Sequence, residues 1–83
     1  MSKTVTFKQL KKTLTEFGFE PEERGGHMIF RHTKTGVVLT VPSTERVVRP
    51  IYVSNAGRQI ANSGIATTST FESRLEKAAK DAA

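Results

Sequence analysis

The sequence predicts a small α+β domain in the order α-β-β-β-α, a three-stranded antiparallel sheet with its helices on one face, plus an extra C-terminal helix. Three observations carry that prediction. Phe7, Leu10, Leu14 and Phe17 recur at steps of three and four, the spacing of a helix with one apolar stripe. Met28 and Phe30 alternate with His27, Ile29 and Arg31, and the β-branched run Val37-Val38-Leu39-Thr40-Val41 follows, so this stretch reads as two strands. Val53, Ala56, Ile60 and Ala61 then return to helical spacing.

The first helix is expected over residues 7–17. Thr6 and Gln9 have the spacing of a capping box, and Gly18 stands where a left-handed cap ends a helix. Phe19 to Arg24 reads as a short strand, with Pro21 confining it to a sheet edge or a strand start. Gly25-Gly26 makes the hairpin turn into His27, and Lys34-Thr35-Gly36 makes the next. His27, Ile29 and Arg31 should share one face, with Met28, Phe30 and the end-of-strand His32 on the helix-facing side. Pro42 ends the third strand, Ser43 to Arg49 reads as a loop, and Pro50 suits the first turn of a helix over about 51–63. Gly57 weakens that helix by roughly 1 kcal/mol relative to alanine, which points to close packing on the sheet or on a ligand. Thr67 to Thr70 reads as a turn, and Ser69 with Glu72 forms a second capping box. The final helix, about 70–82, is expected to pack as an appendage to a core spanning about 5–65. Phe7, Phe17, Phe19, Phe30 and Phe71 read as core, leaving Tyr52 as the aromatic on which a base could stack, although a tyrosine there more often serves packing.

With 83 residues the whole chain, 1–83, is one domain that buries about 60% of its unfolded surface. It has no cysteine, which excludes disulfides and thiolate zinc sites. Nothing resembles a signal peptide or a long apolar run, so a cytoplasmic protein with no membrane contact is expected. The net charge of +5 fits an anionic partner such as nucleic acid. Residues 1–18 and 27–49 each carry +3, whereas Glu20, Glu22 and Glu23 make the intervening strand acidic. Lys8, Lys11 and Lys12 lie opposite the apolar stripe of the first helix, where they form either a solvated face or a phosphate-binding ridge.

Arg24-Gly25-Gly26-His27 is the segment best suited to chemistry. Two glycines allow a sharp turn and close approach of another molecule, and they hand over to a histidine at the mouth of a sheet. Histidine is the side chain whose unperturbed pKa suits proton transfer near neutrality. RNA is cleaved by its own 2′-hydroxyl if one group removes that proton and another offsets charge on the phosphorane, so one histidine near arginines suffices. Arg31, on the same strand face, is the phosphate-contact candidate. His27 and His32 differ by an odd number of positions and point to opposite faces, which disfavours an acid–base pair. No carboxylate is spaced to share a metal with either histidine.

Phe7-Lys8-Gln9-Leu10, Phe17-Gly18-Phe19, Gly25-Gly26-His27-Met28-Ile29-Phe30-Arg31-His32, Thr40-Val41-Pro42, Arg58-Gln59-Ile60 and Ser63-Gly64-Ile65 follow one another in order. In these features the chain resembles the HicA family of toxin ribonucleases from type II toxin–antitoxin systems. The resemblance covers residues 5–72 and implies a fold like that of double-stranded RNA-binding domains. It further implies mRNA cleavage without a metal or other cofactor, and neutralisation by a HicB-type antitoxin that covers the active surface. By that resemblance His27 is the catalytic residue. RNA contacts are expected at Arg31, Lys8, Lys11, Lys12, Gly25 and Gly26, in a monomer or weak homodimer. The chain departs from the family pattern at Gly26, at the acidic strand Glu20-Glu23, and in the loop Ser43 to Arg49. The alternative from the residues themselves is a non-catalytic RNA-binding or protein-interaction domain with the same fold.

Overall fold

A computed structural model describes residues 4–82, with side chains to residue 80. Its elements are β1 (Val5–Thr6), α1 (Phe7–Glu16), β2 (Glu20–Arg24), β3 (His27–His32), β4 (Val37–Pro42), β5 (Val47–Val48), α2 (Pro50–Asn62) and α3 (Thr68–Ala82). The main sheet is antiparallel in the order β2-β3-β4. Its register pairs Phe30 with Pro21 on one side and with Leu39 on the other. This is the expected α+β domain, with three helices around a three-stranded sheet.

Local chemistry explains most boundaries. The Thr6 hydroxyl accepts from the Gln9 N–H at 3.1 Å, while the Gln9 side chain accepts from the Thr6 N–H at 3.2 Å, completing the capping box. At the other end of α1, Gly18 adopts φ +99°. Its N–H donates to the Thr15 carbonyl, and the Phe19 N–H reaches back to the Leu14 carbonyl at 3.0 Å, so the terminal carbonyls are satisfied in a Schellman arrangement.

Alternation in β3 and β4 sorts the core. Met28, Phe30, Leu39 and Val41 are buried together with Leu10, Leu14, Ala56 and Ile60 of the helices. His27, Arg31, Val38 and Thr40 are exposed on the opposite face, so the helices cover one side of the sheet and leave the other open. His32 takes the helix-facing side, with 8% of its surface exposed. Its Nε2 lies 3.1 Å from the Phe17 carbonyl, and because a carbonyl only accepts, that nitrogen carries the proton. Nδ1 lies 2.8 Å from the Thr35 hydroxyl, and the ring packs on Phe19 with centroids 5.0 Å apart. One side chain thus ties the end of α1 to the β3–β4 turn.

A Cβ added at Gly18 would sit 3.3 Å from His32 Nε2. Gly18→Ala is therefore expected to cost about 1–2 kcal/mol from the left-handed backbone alone, and more as His32 is displaced. Gly64→Ala, at φ +80° with nothing within 4 Å of the new Cβ, should incur only the backbone cost. Urea denaturation of both variants checks this, and equal losses would mean that His32 yields freely.

Four expectations need correction. The segment from Ser43 to Arg49 is not all loop, because Val47–Val48 pairs antiparallel with Val5–Thr6. Val48 and Val5 are buried, and that apolar contact holds a pair of strands too short for a visible alternation. Helix α3 starts before Ser69: the Thr67 carbonyl accepts from the Phe71 N–H at 3.0 Å and the Thr67 hydroxyl from the Thr70 N–H at 3.1 Å. Thr67 is the cap, and Thr68 to Thr70 form the first turn rather than a loop. Nor is α3 an appendage. Phe71, Leu75 and Ala78 are buried against α1 and α2, and the Gln9 side-chain amide donates to the Leu75 carbonyl at 2.6 Å inside the core. Gly57 packs against this helix rather than on the sheet or a ligand, since an added Cβ would meet Phe71 Cδ2 at 3.2 Å.

Candidate functional site

The turn that delivers His27 is built by Gly25 and Gly26, with φ +48° and +88°. Two successive positive φ values give the type I′ geometry that matches the twist of paired strands, and two glycines adopt it without Cβ strain. Register then places His27 opposite Arg24 on β2 and opposite Pro42 on β4. His27 is exposed at the end of the open sheet face.

Arg24 is the functional candidate that reasoning from strand alternation overlooked. Directly opposed residues of an antiparallel pair have Cβ atoms about 4.5–5.5 Å apart, so the Arg24 side chain starts beside His27, while its guanidinium bonds Glu22. Arg31 shares the face but lies four residues along β3, roughly 13 Å away at the rise of a strand. That is a backbone separation, and a phosphate further along a bound strand is within reach of its side chain. Counting outward from Gly25-Gly26 pairs 24 with 27, so the signal was available in the sequence.

Glu22 sits between the two arginines. Its carboxylate accepts from Arg24 Nε at 2.9 Å and pairs with Arg31 at 3.3 Å. The Arg24 hydrogen bond and charge, with a smaller contribution from Arg31, hold its carboxyl below the usual carboxylate range. These are exposed pairs, weak enough that a polyanion can compete for both guanidiniums.

The structure separates the remaining predicted residues. Helix α1 lies on the covered side of the sheet, so exposed Lys11 and Lys12 do not share the His27 face. Lys8 lines a groove of about 740 Å³ between the start of α1 and the β4–β5 loop. Tyr52 is half-buried and packs against the core, which removes it as an exposed stacking platform. Among the described residues, no three His, Asp or Glu side chains gather where they could hold one metal ion. Among the same residues no helix is long and apolar enough to cross a membrane.

Comparison of the chain with family models, curated proteins and solved structures gives no match. The site itself carries the functional reading. It offers an exposed histidine, an arginine at the opposed register position, and a sheet face left uncovered by the helices.

Proposed function

We propose that the protein is a metal-independent endoribonuclease, an mRNA-cleaving toxin of the HicA type with a fold like that of double-stranded RNA-binding domains. The observation that supports it most is the cross-strand pair of His27 and Arg24 at the glycine turn, exposed on an uncovered sheet face. In the proposed reaction His27 accepts the proton of a ribose 2′-hydroxyl, whose oxygen attacks the adjacent phosphorus. Arg24 offsets the negative charge that develops on the phosphorane oxygens. The bond to the 5′-oxygen breaks, that oxygen takes a proton from water, and the products are a 2′,3′-cyclic phosphate and a 5′-hydroxyl. Arg31 holds a more distant phosphate, and a HicB-type antitoxin would silence the enzyme by covering this face.

The test is incubation of purified protein with long single-stranded RNA in EDTA, followed by analysis of the new ends. Cyclic phosphate and 5′-hydroxyl termini are expected; 5′-phosphate ends would sink the mechanism. One observation favours a second reading, a non-catalytic domain that binds RNA or a protein: Glu22 already engages both guanidiniums on the His27 face. That reading predicts intact RNA, with binding that weakens steeply as salt rises.

A further inference from the structure

A single loop both lines the groove beside α1 and packs against the histidine turn. Ser43 begins that loop, and its N–H donates to the Gly26 carbonyl at 2.9 Å while its hydroxyl donates to Glu23 at 2.9 Å. Thr44 lies against the turn, where a Cβ added at Gly26 would sit 3.4 Å from its Cγ2. At the other end of the loop, the Arg46 carbonyl accepts from the Phe7 N–H at 2.9 Å, fixing the loop to the start of α1. The loop is thus anchored at the His27 turn and at the helix, and the groove runs along it. Thr6, Ser43 and Thr44 supply hydroxyls to the lining, and Lys8 and Arg46 supply two cations against the one carboxylate of Glu45.

We propose that this groove is the track that leads the RNA backbone away from His27, with Lys8 and Arg46 as its phosphate contacts. The proposal rests on the reading of His27 as the point of cleavage, and it adds Arg46 and the Thr44 hydroxyl to the binding surface. A single strand suits the groove, because cationic side chains contact phosphates without reading sequence, and Phe7 and Ala79 in the lining offer apolar surface to sugars.

The experiment measures fluorescence anisotropy of a labelled single-stranded oligoribonucleotide, bound by His27→Ala protein so that the RNA stays intact. Lys8→Ala/Arg46→Ala is added to that background, with Lys34→Ala at the distant β3–β4 turn as control, and circular dichroism verifies folding. Loss of two phosphate contacts should weaken binding several-fold and flatten the slope of log K against log salt by about 1.4, with the control unchanged. Unchanged affinity and slope in the double variant would overturn the track, as would failure of the parent to bind RNA. Cleavage by wild-type protein is scored separately. His27-dependent cleavage with groove-indifferent binding removes the track and leaves the enzyme; groove-dependent binding without cleavage does the reverse.

Discussion

Replacing Phe71 by alanine is expected to unfold the protein or leave it at the edge of unfolding. The side chain is 1% exposed, tilted against Phe17 at a centroid distance of 6.4 Å, and in contact range of the Gly57 backbone. Truncating such a residue removes its transfer free energy and leaves a cavity, typically about 3–5 kcal/mol together. An 83-residue domain has in all roughly 4–12 kcal/mol of stability, so the loss is a large share of the total. The site cannot easily collapse, because Gly57 has no side chain to move into the space and the α2 backbone would have to shift. Thr67→Ala, which removes only the α3 cap, should cost about 1 kcal/mol by comparison. Urea denaturation followed by far-ultraviolet circular dichroism checks both, and a loss below about 1 kcal/mol for Phe71→Ala would make α3 peripheral.

The role of α3 marks the boundary of what the sequence could reveal. Its apolar stripe at Phe71, Leu75 and Ala78 is legible, but a stripe says that a face is buried and not what buries it. The answer lay in two features that look like defects in isolation, a glycine inside α2 and a glutamine on the inward side of α1. Gly57 admits the Phe71 ring, and Gln9 spends its carbonyl on the capping box and its amide on the Leu75 carbonyl 66 residues away. The same holds for β1 and β5. Two residues are too few to show a period of two, so their pairing arises from tertiary contact and not from local preference. By contrast, α1 with both caps, the hairpin at Gly25-Gly26 and the opposite faces of His27 and His32 follow from local rules, and the structure carries them all. Within the candidate site, the His27–Arg24 pair could be counted from the turn. The groove could not, since it depends on how the β4–β5 loop packs against α1.

His27→Ala is expected to reduce RNA cleavage by roughly 10²–10⁴-fold, the usual contribution of a positioned acid–base group, with stability changed by no more than about 0.5 kcal/mol. The two effects separate because the ring is exposed and makes no hydrogen bond among the described residues, so the fold loses little when it goes. The informative comparison is between the arginines. If the cross-strand guanidinium offsets charge on the phosphorane, Arg24→Ala should lower kcat, because the charge it meets develops mainly in the transition state. Arg31→Ala, at a backbone position roughly 13 Å along the strand from His27, should instead raise KM with kcat nearly unchanged, if Arg31 grips a phosphate equally in ground and transition states. Removing Glu22 sharpens the distinction. Glu22→Gln frees both guanidiniums from a carboxylate they now share, so RNA binding should tighten at low salt and the gain should fade as ionic strength rises. Single-turnover cleavage alongside equilibrium binding resolves all four variants. Equal kcat losses for Arg24→Ala and Arg31→Ala would show that distance from His27 does not order their roles, and full activity in His27→Ala would remove the histidine from the chemistry.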